Sequence, residues 1–307
     1  MERVSQPDNN QNIAASNRYI RNGLFNGIAA FSLWGVLPYY FILVREVSPF
    51  VVLLHRVIWA LPIIMIIIHS RRQWLAIRDA FRDRKILAYL CASAIILAGN
   101  WLVYIASVQQ GQIFQASLGY YINPLFFALA GVLVMDERLS TAQLTAFMFA
   151  TVGIGVLTVS GGQFPWIALF LGISFTIYGV IRKKVVIGGM EGLLVEHAIL
   201  FPLALGSLLI LVAKGTVIFG SGGIGSTATL IAAGPLSILP LMCFVVAARR
   251  LTLSTIGILQ FIGPTLMFLV AVLQGEELTV PRIICFGCIW IAVILFSGDA
   301  WAASRRR

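Results

Sequence analysis

Ten stretches of this 307-residue chain are apolar and long enough to cross a bilayer: residues 20–43, 49–69, 86–107, 112–134, 140–159, 165–182, 192–212, 227–247, 253–274 and 281–300. A hydrocarbon core about 30 Å thick takes roughly 20 helical residues. Lipid offers a backbone no water to bond with, so a spanning segment must be a helix or part of a closed barrel. Continuous apolar runs of this length read as helices rather than alternating strands. The expected fold class is therefore an all-α integral membrane protein with ten transmembrane helices. With 59% apolar and 11% charged residues, little chain remains between spans for a soluble domain. Residues 1–19 are polar and read as a disordered cytoplasmic tail, with no cleavable signal sequence before the first run; residues 301–307 read as a basic cytoplasmic tail.

A net charge of +10 invites a nucleic-acid reading until it is placed on this topology. With the N-terminus inside, all but four of the 22 lysines and arginines fall on inside segments. Arg45, Lys214 and Arg282 lie outside and Arg56 lies within a span. That asymmetry is the positive-inside pattern, so both termini are expected in the cytoplasm, and the basic residues meet anionic headgroups. Within Arg71–Lys85, Trp74, Ile77 and Phe81 share one helical face with arginines opposite, the pattern of a helix lying on the membrane surface.

The chain also repeats itself. A shift of 140 positions carries Ile122, Pro124, Leu129, Val132, Leu133 and Glu137 onto Ile262, Pro264, Leu269, Val272, Leu273 and Glu277, and carries Pro62 onto Pro202 and Arg56 onto Glu196. Phe31–Gly35 (FSLWG) matches Phe175–Gly179 (FTIYG) at a shift of 144. Two halves are expected, residues 20–159 and 160–300. Five spans per half insert the second upside down relative to the first, a transporter plan with its site near the midplane between repeats.

Polar residues inside spans mark where that site would be. Gln115–Pro124 is unusually polar and aromatic, and Pro124 lies roughly 18 Å into its span, near mid-membrane. Pro124 and its counterpart Pro264 are expected to break two equivalent helices. Trp34-Gly35 marks the first span, either as packing or as a cavity wall. Arg56 sits about 10 Å deep in the second, as an inward-facing charge or one snorkelling to the headgroups. Asn100 and Tyr104 share a face of the third span, and Asn100 is expected at roughly Arg56's depth, bonding either a neighbouring helix or a solute. Glu196-His197 is either a proton-responsive pair or a capped structural carboxylate, with inversion placing it too far from Arg56 for a direct ion pair. Asp136-Glu137-Arg138 reads as a solvated helix end and the Lys214–Gly225 loop as a flexible connector. Cys285 and Cys288 read as packing residues, and no motif for a metal, a bound nucleotide or another cofactor is present.

His55–Pro62 (HRVIWALP), Gly99–Ile105 (GNWLVYI), Gln115–Leu125 (QASLGYYINPL), Tyr178–Lys184 (YGVIRKK) and Ser254–Phe268 (STIGILQFIGPTLMF) resemble the RarD-type permeases, in the EamA branch of the drug/metabolite transporter superfamily. The resemblance runs through residues 20–300 and departs mainly in the N-terminal tail and the glycine-rich loop. It implies a five-plus-five inverted-repeat secondary carrier of the bacterial inner membrane, with a central cavity lined mostly by spans 1, 3, 4, 6, 8 and 9. The family label is associated with chloramphenicol sensitivity or export, and relatives export amino acids and other small metabolites.

The resulting expectation is a permease moving a small organic solute by alternating access, outward, coupled to a proton or an exchanged solute. Its partners would be the solute and membrane lipid. The expected lining is Trp34, Asn100, Trp101, Tyr104, Gln115, Tyr120, Tyr121, Asn123, Tyr178 and Gln260. Arg56 would serve an anionic solute group or an outer gate; Glu196 and His197 would form an inner gate or proton site. A passive channel or sensor, or an integral-membrane lipid-handling enzyme, are the competing readings; no catalytic constellation supports the last.

Overall fold

The computed structural model describes residues 9–135, 139–162, 164–216, 223–251 and 253–305. Among them run twelve helices: α1 (Asn9–Leu43), α2 (Pro49–Ser70), α3 (Trp74–Arg82), α4 (Arg84–Gln109), α5 (Ile113–Met135), α6 (Thr141–Gly161), α7 (Trp166–Lys184), α8 (Gly189–Ala213), α9 (Gly223–Ala248), α10 (Leu253–Leu259), α11 (Ile262–Leu273) and α12 (Val280–Arg305). Nine are long and apolar enough to cross a membrane. The short α10 and α11 together make the ninth span, giving ten. α3 is not a span; it packs against α4 and α8 through buried Ile77 and Ala80, with Trp74, Leu75 and Phe81 exposed. α1 starts at Asn9, so part of the tail expected to be disordered prolongs the first span, and α12 carries the C-terminal tail in helix as far as Arg305. Asp136–Arg138, and residues 217–222 of the glycine-rich loop, lie outside the described residues.

Local signals set several boundaries. Pro49 occupies the first turn of α2, where its missing N–H costs no bond. The Asp83 carboxylate accepts from the backbone N–H of Lys85 and Ile86 and caps α4. Ser140 and Gln143 form a reciprocal capping box at α6, and Gly162 closes that helix in the left-handed region.

The packing is that of two interchangeable halves. If each span of the first half is exchanged for its counterpart in the second, the most extensive helix contacts map onto one another, while lesser ones such as α2–α4 and α1–α4 have no counterpart of like extent. α1 on α9 becomes α7 on α4, α2 on α9 becomes α8 on α4, and α5 on α7 becomes α11 on α1. The pairs α2–α8, α5–α11 and α6–α12 each join a helix to its own counterpart. An odd number of spans per half makes the relation an inversion.

Close approach at these contacts rests on small residues. A Cβ on Gly234 of α9 would lie 2.3 Å from the Trp59 backbone of α2, and one on Gly153 of α6 would lie 2.9 Å from Cys288 of α12. Both cysteines of α12 are free and serve this packing.

The two prolines behave differently from expectation. α5 runs unbroken through Pro124. Its counterpart span does break, but at Gln260-Phe261, ahead of Pro264, which lies in the first turn of α11 where a proline is tolerated. The break is closed by short-range bonds: Gln260 N–H to Ile256 O at 2.9 Å and Phe261 N–H to Ile258 O at 3.3 Å. The Ser117 hydroxyl of α5 donates to Pro264 O at 2.8 Å, tying the two equivalent helices together across the halves.

Candidate functional site

Arg56 and Glu196 each lie seven residues into their helix, about 10 Å from its start. Because α2 and α8 are inverted counterparts, the two charges sit at opposite depths, and each organises its own polar cluster.

Around Arg56 the cluster is aromatic. Its Cζ lies 4.1 Å over the Trp101 ring of α4, and Tyr40 of α1, Tyr104 of α4 and Tyr120 of α5 are within electrostatic range. Tyr104 and Tyr120 meet edge to face at 5.7 Å, and Tyr40 is anchored by its hydroxyl, which donates to Thr229 O of α9 at 3.0 Å. The side chain is 6% exposed, and its Nε and Nη1 are buried with no hydrogen-bond partner. Burying a cation in this way is costly unless something supplies the missing acceptor.

Although Arg182 Nη1 is buried without a hydrogen-bond partner, Glu196 itself is satisfied. Its carboxylate accepts from the Ser93 hydroxyl of α4 at 2.6 Å and from the Tyr178 hydroxyl of α7 at 3.4 Å, and Arg182 Nε of α7 approaches to 3.8 Å. Arg182 also donates to Gly188 O and Gly189 O at the start of α8. It reaches Glu196 by lying across Gly192, where a Cβ would fall 1.8 Å from its Nη1. Three helices are thus pinned together on the side where α7 ends and α8 begins.

His197 does not pair with its neighbour Glu196, since consecutive helical side chains point about 100° apart. Its ring packs 5.6 Å from Trp101, and its Nδ1 lies 2.9 Å from Leu193 O. A carbonyl only accepts, so Nδ1 carries the proton and Nε2 is left as an acceptor. Trp101 therefore stands between Arg56 and the helix that carries Glu196.

The other expected lining residues divide. Asn100 donates from Nδ2 to Leu171 O at 3.0 Å and to Ser174 Oγ at 2.9 Å, so it fastens α4 to α7, and Trp101 rather than Asn100 is what Arg56 stacks on. Tyr121 turns toward α11 and α12: its hydroxyl bonds Thr265 Oγ1 at 2.6 Å and its ring stacks on Phe261 at 6.3 Å. Gln115 lines a small pocket with Leu157, Arg282 and Phe286. Asn123 faces α7 at Gly172, with its Oδ1 buried and unpartnered. Trp34 packs against Phe31 and Phe244 between α1 and α9. Gln260 lies half-buried at the α10–α11 break.

Arg182 escaped the sequence reading because it looked like one of three basic residues closing a span. Tyr178, four residues earlier on the same face, was the available signal. Glu276 was also missed. From the α11–α12 connection it accepts from the N–H of Ile113 and, at 3.1 Å, of Phe114, capping α5 from the opposite half. Burial pushes this carboxyl above its usual range, against the pull of those two donors and of Arg282.

Comparison with known proteins gives these clusters a context. Residues 21–159 match the EamA-like transporter family. An uncharacterized transporter of Vibrio cholerae is 38% identical, over 92% of this chain and 94% of its own. Protein RarD of Escherichia coli is 37% identical over 93% and 97%, and protein RarD of Streptomyces exfoliatus 38% over 93% and 91%. A protein of known crystal structure, 18% identical, superposes with a TM-score of 0.56 over 89% of this chain and 94% of that one, a likeness of fold. This multi-pass membrane protein belongs to the EamA-like transporter family, as a RarD-type permease of the drug/metabolite transporter superfamily.

Proposed function

We propose that this permease is a secondary carrier that moves a small organic solute by alternating access, outward across the bacterial cytoplasmic membrane, with both termini in the cytoplasm. The observation that carries this reading is the pair of polar clusters at mirrored depths on the inverted helices α2 and α8. One is closed by an ion pair; the other holds a charge with bonds to spare. On this reading the solute sits near Trp101, among Arg56, Tyr104 and Tyr120. The Arg182–Glu196 pair, with Ser93 and Tyr178, closes the cytoplasmic side. Opening that side separates Arg182 from Glu196, and water or a proton takes over the carboxylate as α7 and α8 part. An inverted pair of halves supplies the complementary closure outside by exchanging their conformations.

Counterflow in proteoliposomes tests the reading, with a panel of labelled amino acids, small amphipathic metabolites and chloramphenicol at two pH values. Saturable exchange of a panel member, slowed in Glu196→Gln, is the expected result. Linear, non-saturating flux would indicate a channel. Normal exchange and pH response in a folded Glu196→Gln protein would remove the gate and proton roles from that residue.

A further inference from the structure

Arg56, unlike Arg182, has no carboxylate partner among the described residues and keeps two buried N–H groups without acceptors, and that fixes what a bound solute has to bring. Among the described residues the ion pairs are Arg45–Glu46, at an exposed connection, and Arg182–Glu196, at the other depth. Neither involves Arg56. The groups facing it from α1, α4, α5 and α8 are Tyr40, Trp101, Tyr104, Tyr120 and His197, none of them a carboxylate. Tyr40's hydroxyl donates to Thr229 O, and no tyrosine oxygen accepts from Arg56 Nε or Nη1. A ring face attracts a cation but accepts no N–H bond of ordinary strength, so Nε and Nη1 stay unsatisfied within the protein.

We propose that the solute of this site is an organic monoanion whose carboxylate docks on Arg56. This rests on the carrier reading above. A planar guanidinium offers donors that match a planar oxyanion, which an ammonium would not do as well. The charge is single because a dianion such as a phosphate monoester would need a second cation, and Arg182 is already committed to Glu196. Trp101, Tyr104 and Tyr120 around the guanidinium favour a flat, apolar body behind that carboxylate.

The test uses the purified full-length protein and ligand pairs that differ only in charge: benzoate and benzamide, indole-3-acetate and indole-3-acetamide, N-acetylphenylalanine and its amide. Binding is read from tryptophan fluorescence and from the shift in unfolding temperature. The expected result is at least one carboxylate bound about tenfold more tightly than its amide. Arg56→Gln should bring that pair within about twofold, and Arg56→Lys should keep part of the preference. Equal binding within every pair, or no binding to any of them by protein that is folded, overturns the proposal. So does a preference that survives Arg56→Gln. Counterflow separates the two readings: saturable exchange of a neutral solute, unchanged in Arg56→Gln, removes the anion assignment and leaves the carrier. Carboxylate binding that depends on Arg56 without any flux does the reverse.

Discussion

Replacing buried Arg56 or half-buried Arg182 by methionine should move stability in opposite directions. In Arg56 the Nε and Nη1 groups are buried without partners. An unsatisfied buried polar group costs about 1–3 kcal/mol, so the two together cost about 2–6 kcal/mol. Against this stands the stack on Trp101, worth about 2 kcal/mol when desolvated. Methionine keeps most of the apolar stem and removes the charge, so Arg56→Met should stabilise the solute-free protein by up to about 4 kcal/mol. Arg182→Met leaves Glu196, 1% exposed, as a buried carboxylate stripped of its cation, which costs about 3–5 kcal/mol. Unfolding in detergent, followed by helical circular dichroism and tryptophan fluorescence, measures both in the same buffer. Repeating it with a bound carboxylate should raise the wild type and Arg182→Met but not Arg56→Met, which no longer binds the ligand. An Arg56→Met protein destabilised as much as Arg182→Met would refute the reasoning, since Arg56 would then have partners within the fold.

Three further outcomes follow from the packing. Asn100→Ala should lower stability by about 0.6–2 kcal/mol by unfastening α4 from α7, while solute affinity in the binding assay stays as in the wild type. Gly234→Ala brings a methyl group against the Trp59 backbone, which cannot rotate away, and should cost about 1–3 kcal/mol by unfolding in detergent; Gly99→Ala, which meets nothing within 4 Å, is the matched control. Glu276 holds its proton more tightly in the folded protein than at its ordinary value of 4.5. Its contribution therefore favours folding fully below about pH 4.5 and is lost as pH rises through the raised folded value. Glu276→Gln should flatten that part of the stability–pH curve; an identical slope in both proteins would contradict it.

How much was legible from residue order depends on how local the cause is. Ten spans follow from apolar runs, and the expected halves from a shift of 140 positions, both properties of short windows compared along one chain. The lipid constraint then leaves helix as the only form such windows can take. The same reading placed Arg56 and Glu196 at separate depths, because helical rise converts sequence distance into depth. Rotation about the helix axis is where it failed. Tyr120 and Tyr121 are adjacent in the chain, yet one faces Arg56 and the other locks α5 to Thr265 of α11. Asn100 and Trp101 divide in the same way between a helix fastener and a platform for the guanidinium. Pro124 looked like a break, but the surrounding helices hold α5 continuous, and the break went to Gln260-Phe261 instead. The sequence by itself determined a ten-span permease built from two related halves, with Arg56 and Glu196 buried within spans. Only the tertiary structure decided that Arg182 answers Glu196 and that nothing in the described protein answers Arg56, because partnership depends on which helix faces which, and that is set by long-range packing.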